Sequence, residues 1–481
     1  MSIELNVLYG SGMNDQYGQI GFKNAIVVGP ADDLAAKYAW LKSSDRDGDM
    51  GALTALNRRV MILAPGVYTL TTKLTLDTDY VDIAALVPMP GGQRLTAHHE
   101  WDGEVNAATV NVSGFLPPPT LITGSLAVTS LADTGVVVQS ANDVRMHGFG
   151  IANTHDPGEI DIDTYGATDI YASAFTITAS DNTPSRYSMM YFWQTGAGVW
   201  CSDPSGFMRM ACYSTGHFKG RWDQCTANGF AYRAAANKNF SPVMCDCIGG
   251  AFSFAGDATN LSMENCALHR CEGIGYFNEA YQSNTSSGYA CFGGCRSYGC
   301  AIANTAYLYD CIAGDQSYGL GLVCAGNFYG CIGGDNCFGG YRGVGAAYGT
   351  FSGVAEDCRA TSQSFGSGHA SCVNSGRMTR CRLTAMPEAM FCTGAKIEDS
   401  YLQVTGTNKS TLDLNDGNTV IYNSTLIANG NGECITAGEA QNVVAGHCRS
   451  NKGVNANVTN LLNAANSLTG AAMGIEDSDI A

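Results

Sequence analysis

The chain has 481 residues, 45% of them apolar, so it carries enough hydrophobic material for a large core. Only 14% are charged, 26 Lys and Arg against 43 Asp and Glu. The net charge of −17 argues against a nucleic-acid partner, which needs a basic stripe that this sequence lacks.

Residues 1–25 form a Gly-rich lead, including Tyr9-Gly-Ser-Gly-Met-Asn-Asp-Gln-Tyr-Gly18, expected to attach the chain to another component. The opening Met1-Ser-Ile-Glu-Leu-Asn6 lacks the basic and apolar regions of a secretory signal. No apolar run is long enough to span a bilayer, so no membrane insertion is expected and synthesis in a cytoplasm is. Segment 26–59 predicts a helix from Pro30 to Ser43, with Leu34, Tyr38 and Leu41 on one face, and a loop. The helix is expected to cover the open end of the strands that follow. Asp45-Arg-Asp-Gly-Asp49 has the oxygen spacing of half a calcium loop, but Leu56 stands where the bidentate acid belongs. It reads as a polar exit from the helix.

Short strands begin at Val60–Tyr68, Leu74–Leu76 and Val81–Ile83, and coils without cysteine and with longer loops are expected over 60–200. His155–Asp163 reads as an acidic surface loop. Tyr187-Ser-Met-Met-Tyr-Phe-Trp193, with Trp200, interrupts the pattern. If exposed, Tyr187, Tyr191, Trp193 and Trp200 are candidate glycan or subunit contacts. If buried, which large apolar residues favour, they widen a core coil.

All 20 cysteines lie between Cys201 and Cys448. Segments such as Ala306-Tyr-Leu-Tyr-Asp-Cys311, Gly326-Asn-Phe-Tyr-Gly-Cys331 and Thr419-Val-Ile-Tyr-Asn-Ser424 repeat a short alternating strand, a bend residue and then Cys or Ser. Aligned on that last residue, Cys225, Cys247, Cys266, Cys295, Cys311, Cys331, Cys358, Cys381, Ser400, Ser424 and Cys448 form a predicted structural ladder. Its ten intervals cover 223 residues, about 22 per repeat, inside the range for solenoids. The small Cys/Ser side chains suit a narrow interior, and Asp246, Asn265, Asp310, Asp357, Asp399 and Asn423 suit the bend. The expected fold is therefore all-β: a right-handed, single-stranded parallel β-helix over 60–449, regular and Cys-rich over 201–449. Residues 450–481 form a C-terminal cap and acidic tail. Cysteines stacked one rung apart have parallel rather than converging Cβ vectors, so most are expected to be free thiols.

The order helix, then Val60–Leu70 (VMILAPGVYTL), then Lys73–Leu76 (KLTL), then rungs such as Val144–Asn153 (VRMHGFGIAN) and Leu261–Leu268 (LSMENCAL), resembles the pectin-lyase-like β-helix superfamily. The resemblance covers roughly residues 26–450. It implies the fold and admits polysaccharide lyases, glycoside hydrolases, esterases and bacteriophage tailspikes. Glycan-cleaving members need carboxylates converging across neighbouring rungs. Asp246, Asp310 and Asp357 are the candidates for one face, although Asp at such positions is more commonly a bend residue. No lyase, galacturonase or esterase motif matches, so no catalytic residue is assigned. Cys245/Cys247 and Cys291/Cys295 lack a second pair at zinc spacing, and alternation is expected to send Cys245 and Cys247 to the same side. No metal or cofactor is expected.

The leading expectation is a non-enzymatic virion surface protein of the tailspike, fibre or decoration type, made in the host cytoplasm. It would assemble side by side as a homo-oligomer, a trimer being favoured, dock on other virion proteins through its N-terminal segment, and turn one face to cell-surface glycan. The alternatives are an extracellular polysaccharide lyase or glycoside hydrolase, and a passive structural surface or filament protein.

Overall fold

The computed structural model describes residues between 24 and 459 in segments. Residues 1–23 and 460–481 lie outside the described residues, as do 44–50, 89–95, 99–110, 127–134, 156–171, 196–208, 255–261, 274–282, 290–302, 312–322, 339–349, 366–372 and shorter stretches. The Gly-rich lead, the half calcium loop, most of the acidic loop, Trp200, Asn265, Cys266, Cys291, Cys295 and the acidic tail therefore fall outside. The chain forms two compact units, 1–277 and 278–481, dividing at a different place from the compositional change at Cys201.

Apart from one helix the described elements are strands. Their pairings are parallel except for Thr96–His98 with Asn111–Ser113. In the first unit Ala25–Val28, Arg59–Leu63, Val81–Ala85, Arg145–His147, Arg186–Ser188, Arg221–Asp223, Val243–Cys245 and Ala267–His269 stack in that order. A second ladder runs from Gly66–Leu70 to Glu272–Gly273, and a third from Leu74–Leu76 to Phe252–Phe254. Successive coils thus contribute strands to three parallel ladders, the arrangement of a β-helix. Among the described residues the first strand of this ladder is Ala25–Val28, ahead of the helix and before residue 60: four residues rich in β-branched side chains suffice to pair with Val60–Leu63.

The helix spans Leu34–Lys42 and buries Leu34, Tyr38 and Leu41, the predicted face. Asp33 accepts the Ala36 amide proton at 3.0 Å, satisfying one of the unpaired N–H groups of the first turn. At the other end the buried Arg59 donates to the carbonyls of Leu41 (2.7 Å) and Ser43 (2.6 Å), which fastens the helix to the first ladder.

The second unit repeats the plan. One ladder runs Ser287–Tyr289, Tyr307–Tyr309, Asn327–Tyr329, Val354–Glu356, Arg377–Thr379, Lys396–Glu398, Thr419–Tyr422, Gln441–Gly446. Another runs from Arg359–Thr361 to Arg449–Ser450, and a third from Ser283–Asn284 to Ile435–Ala437.

One bend recurs in both units. Asp246, Asp310, Asp357, Asp399 and Asn423 all have positive φ, between 46° and 56°, as do Met189, Gln224, Arg380 and His447 at the equivalent place. Asp and Asn tolerate this left-handed conformation best, which is why they recur there. A left-handed residue breaks the period-2 alternation, so side chains two places before and one place after it both point inward. Leu308 and Cys311, Phe328 and Cys331, Met378 and Cys381, and Ile397 and Ser400 are all buried accordingly. The thiols close the bend by donating to carbonyls of the preceding coil: Cys331 to Leu308 at 3.5 Å, Cys358 to Phe328 at 3.4 Å, Cys381 to Ala355 at 3.3 Å.

The register corrects one ladder assignment. Val243–Cys245 pairs with Ala267–His269, so Cys271, not Cys266, stands above Cys247, and its thiol donates to the Met244 carbonyl at 3.6 Å. Ser262–Met263, the strand before Cys266, pairs with Asn239–Phe240 in a different ladder. Cys295, another predicted member of the ladder, lies outside the described residues. A second correction concerns Cys245 and Cys247: the left-handed Asp246 between them leaves Cys245 outside the core while Cys247 is buried.

Candidate functional site

The outward positions of the two long ladders gather the polar and aromatic groups. In the second unit one outward column reads Tyr309, Tyr329, Glu356, Thr379, Glu398, Tyr422, and its neighbour reads Tyr307, Asn327, Val354, Arg377, Lys396, Val420. The Tyr309 and Tyr329 rings stack at 5.0 Å between centroids with 10° between planes, and Tyr307 beside them is 49% exposed. Tyr422 is 48% exposed and meets His447 edge-on at 5.3 Å. Flat, exposed rings of this kind offer a hydrophobic platform with a polar rim, suited to the apolar face of a sugar ring.

Between the aromatic ends the acids are paired with cations. Arg380 contacts both Asp357 (2.7 Å) and Glu356, and Glu398 is shared by Lys396 (2.9 Å) and Arg377 (3.2 Å). The Arg380 contact holds the Asp357 carboxyl below the usual carboxylate range, and Lys396 does the same for Glu398. A general acid for glycoside cleavage needs the opposite shift. These carboxylates remain charged and serve as hydrogen-bond acceptors and as partners for the arginines.

In the first unit the outward columns read Asp82, Arg145, Arg186, Arg221 and Ala84, His147, Ser188, Asp223, Cys245, His269. Arg58 grips Asp82 in a two-point contact at 2.7 and 2.6 Å and also reaches Asp143 at 3.0 Å. Burial pushes His147 down to about 4, so it is uncharged at neutral pH. Burial, aided by Asp223, raises the Cys245 thiol, which therefore lacks the lowered pKa of an activated nucleophile.

Of the four aromatic candidates two take the buried alternative that the sequence favoured, and Trp200 lies outside the described residues. Tyr187 and Tyr191 are fully buried, and Trp193 is half-buried, with its ring stacked on Tyr191 at 6.2 Å. Tyr187 lies three places before Met190, the interior position of its coil, and stacks on Trp222 at 3.9 Å. Asp246, Asp310 and Asp357 occupy the left-handed bend, where their role is conformational. Tyr307, Tyr309 and Tyr329 were missed because their segments were read for the cysteine. The signal was available: counting back from Cys311 and Cys331 places Leu308 and Phe328 inside and the flanking tyrosines outside. Among the described residues no group of three or more His, Cys, Asp and Glu is arranged to hold a metal ion. Among the described residues no helix is long and apolar enough to cross a membrane.

No family model and no curated protein matches the chain. Among solved structures it is similar to a pectin methylesterase in complex with a hexasaccharide, at 12% identity and a TM-score of 0.28, over 62% of this chain and 80% of that one. Pectin methylesterase PemA from Erwinia chrysanthemi gives 12% identity and a TM-score of 0.28, over 61% and 80%. DFA-IIIase from Arthrobacter chlorophenolicus A6 without its lid gives 10% and 0.26, over 91% and 96%.

Proposed function

We propose that this chain is a non-enzymatic virion surface protein of the tailspike, fibre or decoration type that contacts glycan through the outward tyrosine strip of its second unit. In this reading the β-helix is right-handed and continuous, the helix Leu34–Lys42 caps its open end, and chains associate side by side as trimers. The Gly-rich lead docks on other virion components. The observation that carries the glycan reading is the stacked pair Tyr309 and Tyr329 with Tyr307 exposed beside them, next to carboxylates held ionised by arginine and lysine. Glycan recognition uses this combination of ring faces and fixed polar groups. The free cysteines among the described residues support assembly in a reducing cytoplasm.

The test is binding of the full chain to a polysaccharide panel, with product release followed in the same samples. The expected result is retention of at least one glycan, no reducing or unsaturated sugar, and a roughly 10-fold or greater loss of affinity in the Tyr309→Ala/Tyr329→Ala double variant, equivalent to about 1.4 kcal/mol. Unsaturated uronate in the supernatant overturns the non-enzymatic reading. Unchanged affinity in the double variant overturns the assignment of the strip. A monomer by light scattering overturns the side-by-side assembly.

A further inference from the structure

One ladder of the second unit carries cations and no acids. Arg359–Thr361, Arg382–Met386, Tyr401–Val404, Thr425–Ile427 and Arg449–Ser450 stack in parallel, and none of them contains Asp or Glu. Ala360, Leu383, Leu402, Leu426 and Ser450 are buried, so alternation turns Arg359, Arg382, Tyr401, Thr425 and Arg449 outward in one column. The three arginines are exposed, and Tyr401 and Thr425 are half-buried. Thr361 and Thr384 stand on the outward column beside them, and the Tyr401 hydroxyl donates to Gln403 Oε1 at 3.3 Å. Arg382 lies over the Tyr401 ring at 5.3 Å from its centroid. Among the described residues Arg359, Arg382 and Arg449 form no ion pair, and the acids that flank the ladder are engaged elsewhere. Arg380 holds Glu356 and Asp357, Lys396 and Arg377 hold Glu398, Lys409 holds Glu388 at 2.7 Å, and Asp399 accepts from the Asn423 amide at 2.6 Å. A chain of net charge −17 repels polyanions as a whole, so any polyanion it holds must meet a local column of this kind.

We propose that this column binds a glycan bearing sulfate or phosphate monoester groups, with Arg359 and Arg382 sharing one such group and Arg449 taking another. Arg359 and Arg382 stand on neighbouring coils, about 4.8 Å apart. A carboxylate has two oxygens and is filled by one guanidinium fork, whereas a sulfate or phosphate monoester has three terminal oxygens and accepts from two forks at once. Arg449 lies three coils further on, about 14 Å along the ladder. Tyr401 and Thr425 between them offer a ring and hydroxyls to the sugars that join the two anions. The column belongs to a different ladder from the tyrosine strip and stands whether or not that strip binds glycan.

The experiment is binding of the full chain to dextran sulfate, phosphorylated dextran, polygalacturonate and neutral dextran at one ionic strength. The proteins are wild type, Arg359→Gln/Arg382→Gln, Arg359→Lys/Arg382→Lys, Arg449→Gln and the Tyr309→Ala/Tyr329→Ala variant. Wild type is expected to bind at least one esterified dextran roughly 10-fold more tightly than polygalacturonate or neutral dextran. The glutamine pair should lose about that factor, and Arg449→Gln part of it. The lysine pair, which keeps the charge and loses the fork, should fall between wild type and the glutamine pair. The tyrosine variant should bind the ester as wild type does, which separates this column from the strip. Because the arginines are exposed, thermal midpoints of their variants should match wild type. Polygalacturonate bound as tightly as the esters overturns the proposal, and so does unchanged ester binding in the glutamine pair. Loss of the oligomer in the glutamine pair, read by light scattering, assigns the column to a neighbouring chain and overturns it as well.

Discussion

Ser400 Oγ accepts the amide proton of Cys381 at 3.1 Å and donates to the Glu398 carbonyl at 2.7 Å, so along one ladder a thiol gives way to a hydroxyl with both of its bonding capacities used. Ser424 extends the pattern, accepting the Ser400 amide proton at 3.1 Å. Both serines are buried. Ser400→Ala leaves a buried amide without its acceptor and should lower stability by about 1–3 kcal/mol. Ser400→Cys returns the site to the chemistry of the neighbouring coils and should lose less. Denaturant midpoints of the two variants check the order; an alanine variant as stable as wild type would remove the hydroxyl from the account of this ladder.

The left-handed bend makes a prediction with opposite signs at one position. Gln224 has φ of 54° where five equivalent coils carry Asp or Asn. Replacing it by Asn, which tolerates that region better, should raise stability by about 0.5 kcal/mol, while Gln224→Val should lower it by about 1–2 kcal/mol. Equal melting curves for the two variants would show that the bend is not strained.

His147 supplies a pH dependence. Its value in the fold is about 4 against 6.5 for an ordinary histidine, because burial disfavours the imidazolium. Between these values the unfolded chain binds a proton that the folded chain does not. Stability is therefore complete above pH 6.5 and falls as the pH drops toward 4, by up to about 3 kcal/mol. The carboxylates of Asp357 and Glu398, held low by Arg380 and Lys396, release their contribution only as the pH falls further, below the ordinary carboxylate range. Unfolding midpoints measured from pH 7 to 4 should slope downward for wild type and more weakly for His147→Gln; parallel curves would assign the slope to other groups.

The thiols offer a chemical check on the fold. Burial raises Cys358 and Cys247 well above the usual thiol value and pushes Cys392 up to about 12. They should resist a disulfide thiol reagent in the native protein and react at once in denaturant. Cys245, half-buried on the outward face, should be labelled ahead of Cys247, two residues away. Peptide mapping after brief labelling separates the two. Equal labelling would mean that Asp246 does not turn the chain between them.

The sequence by itself determined the local geometry. Alternation in Ala306–Cys311 and Thr419–Ser424 marks strands, Asp and Asn before Cys or Ser mark the left-handed bend, and Leu34, Tyr38 and Leu41 mark the buried face of the helix. Each is a property of a few consecutive residues, where propensity and periodicity act directly. Tertiary pairing alone decided which strand lies over which. Cys266 follows a strand much like those of its neighbours, yet that strand pairs with Asn239–Phe240, and Cys271 takes the ladder position. It also decided which aromatic rings face out. Period 2 says that residues two apart share a face, but only the stacking of coils makes one face the interior, burying Tyr187 and leaving Tyr307 exposed. The arginine column was hidden for the same reason, since Arg359, Arg382 and Arg449 are far apart in the chain and join one column only through hydrogen bonds between coils.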